Sequence, residues 1–204
     1  MSPKHPTWRR PATPAALGVV AALTIVPAAG TGAGASAASP VRVYVAGDST
    51  ASTYVYKSYF SQYVDKSRAK GAIPVLVTSA ERRRFTVAGV ISPTHGAYPA
   101  AMRELAAAKR VPLVDLTASS TALWNRAGVE GTKEHFLHLA AGQHPNHPDG
   151  VQDNTHFQAF GAIEVARLVA TSLRDQGVLP AAAFRQVTAP VPAGAITWPT
   201  TPPY

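Results

Sequence analysis

Ser49 stands where a chain would present a nucleophile. It follows Gly47 and Asp48, directly after an apolar stretch, 41–46, that is typical of a short β-strand. In an open parallel sheet, catalytic groups gather beyond the carboxyl ends of the strands. A serine hydroxyl becomes an effective nucleophile only when a base removes its proton and another group orients that base.

An acid and a histidine that suit this serine lie far downstream. Asp153 and His156 occur in the sequence DNTH, just before the last predicted helix. This spacing lets a carboxylate and an imidazole on one short turn point the same way, so that Asp153 holds the ring and its other nitrogen faces Ser49. The sequence therefore predicts a nucleophile, base and acid that act together.

The elements that must position these residues alternate along the chain. Continuous apolar stretches predict β-strands, at 41–46, 73–78 and 111–116. Periodic apolar stretches predict helices, at 56–70, 98–109, 117–126, 132–141 and 161–176. Alternating strands and helices predict an α/β domain, in which helices cover both faces of a parallel sheet.

The block GDST, followed far downstream by DNTHF, resembles the SGNH or GDSL hydrolases. Further segments, VTSAERRRF, HGAYPAAMRELA and VPLVDLTASS, are similar to the rhamnogalacturonan acetylesterase-like branch. The resemblance implies a three-layer α/β/α, flavodoxin-like fold and a serine esterase that removes acetyl groups from a pectin-like polysaccharide. It also implies that Ser49 is the nucleophile and that its backbone N–H is an oxyanion donor. His156 would be the general base and Asp153 the acid that orients the histidine, and no cofactor would be needed.

Two blocks of that family are missing from this sequence. One carries a glycine after the second strand and the other a Gly-x-Asn-Asp motif after the third, whereas here residues 52–57 join the neighbouring regions directly. The only asparagines are Asn125, Asn146 and Asn154, and none follows a predicted strand. The resemblance therefore implies a sheet that lacks about two strands and an oxyanion hole that lacks two of its three donors.

Two functions remain open at this point. The first is a carbohydrate acetylesterase that acts on an acetylated polysaccharide or a small ester. The second is an internally deleted homologue that is catalytically weak or inactive and at most binds glycans. The triad residues favour the first, and the missing blocks favour the second.

The two ends of the chain predict export and an extended tail. Basic residues, an apolar stretch at 15–26 and small residues up to Ala37 are typical of a secretory signal peptide over 1–37. The SGNH-like domain is then expected over 38–186, and the proline-rich segment 187–204 as a C-terminal tail. We expect a secreted monomer that is not held at a membrane once the leader is removed.

Composition narrows the possible partners. The formal net charge is +8, but basic residues are scattered apart from a cluster at Arg82, Arg83 and Arg84, so nucleic acid is not expected as a partner. These arginines follow the strand at 73–78, where guanidinium groups could bind a galacturonate carboxylate or could form a solvated turn.

Histidines crowd the segment 135–147 and raise the question of a metal site. Pairs three residues apart, His135 with His138 and His144 with His147, could bring imidazoles together. A further ligand is lacking unless Asp149 serves, so no metal is expected. Two aromatic residues in this half, Trp124 and Phe136, are predicted to pack in the core.

Overall fold

A computed structural model describes residues 21–24, 42–45, 53–185 and 187–191. Ser49, most of the predicted leader and most of the proline-rich tail lie outside these ranges. The strands are β1 (Ala21–Thr24), β2 (Arg42–Val45), β3 (Leu76–Val77), β4 (Leu113–Val114), β5 (Phe136–Leu139) and β6 (Val151–Phe157). The helices are α1 (Thr53–Ala69), α2 (Tyr98–Lys109), α3 (Leu116–Gly131) and α4 (Ala159–Asp175).

The described strands pair two by two. β3 and β4 are parallel, and α2 is the crossover between them. β1 pairs with β2 and β5 with β6, both in antiparallel fashion. The expected parallel arrangement is thus confirmed for one pair of strands, β3 and β4, but the single sheet is not seen, since the described strands form three separate two-stranded sheets.

Helices cover both faces of the β3–β4 pair. Leu76 packs in a core cluster with residues of α1 and α2, including Phe60 and Met102. Its neighbours Val75 and Val77 pack in a second cluster that includes residues of α4. This alternation follows from the two-residue period of a strand, which sends successive side chains to opposite faces.

Two helices end just before glycines, as the sequence predicts. The helix predicted over 56–70 extends over Thr53–Ala69, and Gly71 follows it with a φ of 72°. The last helix ends at Asp175, and Gly177 has a φ of 63°. Both glycines adopt the left-handed conformation that commonly terminates a helix. None of the described helices is both long and apolar enough to cross a membrane.

The helix predicted over 132–141 is wrong. Residues Thr132–Glu134 form one 3-10 turn, and β5 follows and pairs with β6. Gly142 and Gly150, with φ values of 75° and 79°, bend the chain between the two strands. A short apolar run fits either a strand or a helix, and here the glycine turn and the pairing with β6 decide for the strand.

The region around β5 is closed by an aromatic cluster. Trp124 on α3 and Phe136 on β5 are both fully buried, and their ring centroids lie 5.2 Å apart. Phe157 at the end of β6 stacks on Phe136 at 5.0 Å. The predicted core role of Trp124 and Phe136 is therefore confirmed, and their cluster supports the strand that carries the candidate acid and histidine.

Candidate active site

Asp153 and His156 form a hydrogen-bonded pair on β6. Nδ1 of His156 lies 2.6 Å from Oδ2 of Asp153. The other carboxylate oxygen, Oδ1, accepts the backbone N–H groups of Thr155 at 2.7 Å and of His156 at 3.0 Å. An aspartate that binds the backbone two and three residues ahead forms a local turn, and here it lies within β6 where the register with β5 shifts between Phe136 and His138. This explains how three residues of separation bring acid and imidazole together.

The ionisation of Asp153 fixes the tautomer of its partner. The pKa of Asp153 is lowered to about 2, first by the backbone N–H of His156 and next by the His156 side chain. An ionised carboxylate only accepts hydrogen bonds, so Nδ1 of a neutral His156 must carry the hydrogen. Nε2 then keeps its lone pair, which is the arrangement that a general base requires.

The imidazole of His156 is open to its surroundings. Its side chain is 75% exposed, whereas that of Asp153 is 26% exposed. Among the residues that the structure describes, none makes a hydrogen bond to Nε2 of His156. Ser49 lies outside those ranges, so its approach to Nε2 stays a prediction, as does the role of its backbone N–H in an oxyanion hole.

The three adjacent arginines differ in their surroundings. Arg82 and Arg84 are exposed. Arg83 is partly buried, and its guanidinium donates to Asn154 Oδ1, between the two members of the pair, at 3.0 Å. The sequence did not signal this contact between Arg83 and Asn154, because 71 residues separate them.

A buried carboxylate lies one residue before these arginines. Glu81 is 2% exposed, and its Oε1 accepts hydrogen bonds from the backbone N–H and the hydroxyl of Thr94. Its backbone N–H donates to Ser120 Oγ at 2.8 Å, and its carbonyl accepts the indole N–H of Trp124 at 2.9 Å. Glu81 thereby joins the loop after β3 to α3, a role that the sequence gave no sign of.

Two of the three asparagines in the described ranges accept hydrogen bonds through their side-chain oxygens. Oδ1 of Asn125 accepts the backbone N–H of Ile91 at 2.8 Å. Oδ1 of Asn154 accepts from Arg83. Both contacts engage the amide oxygen and so fix the orientation of the amide.

The histidine-rich hairpin does not assemble a metal site. Within the described part of the chain, no group of three or more His, Cys, Asp or Glu residues is arranged to hold a metal ion. The rings of His144 and His147 lie 6.1 Å apart across the turn between β5 and β6. His135 is buried, and its Nδ1 lies 3.2 Å from the carbonyl oxygen of Gly131.

Relatives of known name match a large part of the chain. It is 44% identical over 123 residues to the rhamnogalacturonan acetylesterase RhgT of Bacillus subtilis and 34% identical over 123 residues to the probable rhamnogalacturonan acetylesterase YesY of the same organism. Each match covers 60% of this chain. The chain spans about half the length of these relatives, 53% and 52% respectively.

A solved structure adds a likeness in three dimensions. The crystal structure of the protein YxiM of Bacillus subtilis superposes with a TM-score of 0.52 at 28% sequence identity, over 65% of this chain and 33% of that one. No protein-family model matches the sequence. The resemblance to rhamnogalacturonan acetylesterases that the sequence indicated is nevertheless confirmed by these named relatives, to which the chain is similar over 60% of its length.

Proposed function

We propose that this chain is a secreted serine carbohydrate esterase that removes acetyl groups from a pectin-like polysaccharide such as rhamnogalacturonan. The observation that carries the proposal is the Asp153–His156 pair, with 2.6 Å between Oδ2 and Nδ1 and with Nε2 of the histidine left as a base. Two relatives named as acetylesterases of this class support the substrate. Secretion rests on the signal-peptide pattern in residues 1–37.

The reaction would proceed by acyl transfer through Ser49. His156 Nε2 takes the proton of Ser49 Oγ as that oxygen attacks the acetyl carbonyl. The imidazolium then gives the proton to the sugar oxygen as its bond to the acetyl carbon breaks, which releases the sugar hydroxyl. Water, deprotonated by the same nitrogen, hydrolyses the acetyl-serine and releases acetate. Asp153 holds the ring and stabilises its positive charge in both half-reactions. The serine N–H would donate one hydrogen bond to the oxyanion.

The basic surface suits an acidic polymer. Residues 38–204 carry 16 Lys and Arg against 11 Asp and Glu, a formal net charge of +5, and the exposed Arg82 and Arg84 lie beyond β3 in the same part of the chain as Arg83. Guanidinium groups bind carboxylates in a bidentate manner, so these two side chains could contact galacturonate units. We propose that the protein acts as a monomer and needs no metal or cofactor.

Acetate release provides the test. Purified protein is incubated with p-nitrophenyl acetate and with acetylated rhamnogalacturonan, and Ser49→Ala is measured under the same conditions. The proposal expects acetate from the polymer, abolished by Ser49→Ala and unaffected by a chelator. Activity that survives in Ser49→Ala would rule out the serine mechanism.

A second function is favoured by one specific observation, which is that the glycine and Gly-x-Asn-Asp blocks are not found in this sequence. The chain also spans only about half the length of each named relative. An internally deleted homologue with weak or no turnover could still bind glycans. Calorimetry can measure whether the protein binds deacetylated and acetylated rhamnogalacturonan. Binding of both polymers, with no acetate released from acetylated rhamnogalacturonan or from p-nitrophenyl acetate, would favour this alternative.

A further inference from the structure

Arg83 makes two hydrogen bonds to Asn154, a residue of β6 that lies between the candidate acid and the candidate base. Its backbone N–H donates to the carbonyl oxygen of Asn154 at 2.9 Å, and its Nη1 donates to Asn154 Oδ1 at 3.0 Å. Asn154 follows Asp153 directly and precedes His156 by two residues. Arg83 therefore binds the middle of the turn that brings the carboxylate and the imidazole together.

The other end of this guanidinium is fixed to the end of α3. Nε donates to Thr132 Oγ1 at 3.0 Å, and Nη2 donates to the carbonyl oxygen of Val129 at 2.6 Å. Thr132 is fully buried, and its hydroxyl also donates to the Val129 carbonyl at 3.1 Å. A planar guanidinium can reach three acceptors in different directions at once, whereas a lysine ammonium on a flexible stem cannot hold the same fork.

Arg83 also determines the orientation of the Asn154 amide. If the amide were rotated by half a turn, its NH2 group would face the N–H groups of Arg83, which only donate. Oδ1 must therefore face Arg83, and it also lies 2.9 Å from Nε2 of His138. Because Oδ1 only accepts, that histidine carries its hydrogen on Nε2.

We propose that Arg83 is a positioning residue. It joins β6 to the end of α3 and thereby holds the Asp153–His156 turn in the geometry that fixes the tautomer of His156. The inference deepens the proposed function and rests on it. A displacement of about 1 Å in a catalytic group can cost roughly a hundredfold in rate. Loss of the fork is therefore expected to lower kcat and to leave KM near its original value.

The test measures the histidine itself, so it does not require turnover. Long-range 1H–15N correlation spectra at neutral pH report which ring nitrogen of His156 carries the hydrogen. The full chain is expected to show the Nδ1–H tautomer, and Arg83→Lys should move it toward the mixed tautomers of an unrestrained imidazole. The amide hydrogens of Thr155 and His156 should exchange faster in the same variant.

Two further variants separate positioning from general damage. Arg68→Lys is the matched control, because Arg68 also binds backbone carbonyls, those of Lys109 and Arg110 at 2.8 and 3.1 Å, but touches neither Asn154 nor the pair. It should leave the His156 spectrum unchanged. Asn154→Leu removes the acceptor while Arg83 keeps Thr132 and Val129, so it should reproduce the effect even if Arg83→Lys does not fold.

The outcomes distinguish the two hypotheses. An unchanged His156 tautomer and unchanged amide exchange in folded Arg83→Lys, or in Asn154→Leu, would overturn the positioning role. A changed tautomer in a protein that releases no acetate would support positioning and reject the esterase. Where acetate is released, a rise in KM with constant kcat in Arg83→Lys would assign Arg83 to substrate binding and overturn the inference.

Discussion

Both oxygens of the Asp153 carboxylate are directed at His156, Oδ2 to the imidazole Nδ1 at 2.6 Å and Oδ1 to its backbone N–H at 3.0 Å. One side chain thus sets the position of the ring and that of the main chain that carries it. Residues coupled in this way act as a unit, so their substitutions are not expected to be additive.

The first prediction concerns this unit together with Ser49. If esterase activity is detected, Ser49→Ala and His156→Ala should each abolish it nearly as fully as the double variant. Asp153→Asn should reduce activity less, because the serine and the base both remain. Initial rates with p-nitrophenyl acetate check this, and independent, multiplicative losses would contradict the assignment.

The second prediction concerns pH and the stability of the fold. The Asp153 pKa is lowered to about 2 by the His156 backbone N–H and side chain, whereas an unperturbed aspartate titrates at about 3.9. A lowered pKa in the folded state stabilises the protein above about pH 4, and this contribution is lost as the pH falls toward 2. Asp153→Asn should remove it.

Urea unfolding of the wild-type protein and of Asp153→Asn at pH 6, 4 and 2.5 measures this contribution. The wild-type protein should be the more stable at pH 6, and the difference should shrink at the lower values. A difference that stays constant over this range would show that Asp153 is not held as an ionised hydrogen-bond acceptor.

The sequence predicted the helices and the pair better than it predicted the sheet. Gly71 and Gly177 mark helix ends because few other residues adopt a positive φ there, and DNTH is a local turn whose geometry its own side chain determines. The hairpin of β5 and β6 was missed because pairing across a turn is a non-local property. The contact of Arg83 with Asn154 was missed for the same reason, since 71 residues separate the two.

The third prediction concerns the close approach of α4 to the chain before β5. A methyl group on Gly161 would lie 1.9 Å from the carbonyl oxygen of His135, which is backbone and cannot rotate away. Gly161→Ala should therefore cost about 3 kcal/mol of unfolding free energy, at the upper end of overpacking penalties. The displacement of α4 should also broaden NMR signals of β5 and β6.

Gly131→Ala is its matched control. Gly131 has helical backbone angles, with φ of −63° and ψ of −27°, and the nearest atom to an added methyl group is the Cβ of Ala127 at 3.7 Å. This variant should be neutral or more stable in the same denaturation experiment. Equal destabilisation by both variants would contradict the packing argument.

The fourth prediction concerns the end of α2. Arg110 closes the helix in the left-handed conformation, with φ of 49° and ψ of 54°, where a side chain costs about 1–2 kcal/mol. Arg110→Gly removes this strain but gives the unfolded chain more freedom, worth about 0.4–1 kcal/mol. With mid-range values for both terms, the net gain should be about 0.8 kcal/mol, or a rise in Tm of about 2–3 °C.

Arg110→Gly keeps the hydrogen bond between Arg68 and the end of α2, because Arg68 donates to the carbonyl oxygen of residue 110 and not to its side chain. Differential scanning calorimetry compares the two proteins. A lower Tm for Arg110→Gly would indicate that the Arg110 side chain contributes more than its backbone conformation costs.

The last prediction concerns the direct connection between β2 and α1. Losing one preorganised oxyanion donor costs about a hundredfold to a thousandfold in rate, and the resemblance implies that two are missing. We therefore expect this chain to hydrolyse p-nitrophenyl acetate at least roughly a thousandfold more slowly than an intact relative. Because α1 begins at Thr53, a family-type segment with the glycine and Gly-x-Asn-Asp blocks can be inserted between Ser52 and Thr53 without interrupting the helix. The insertion should raise kcat, and replacing its asparagine by alanine should reverse most of the gain. The opposite result is an unmodified chain that is as active as an intact relative and that Ser49→Ala inactivates. That result would mean that other groups complete the oxyanion hole.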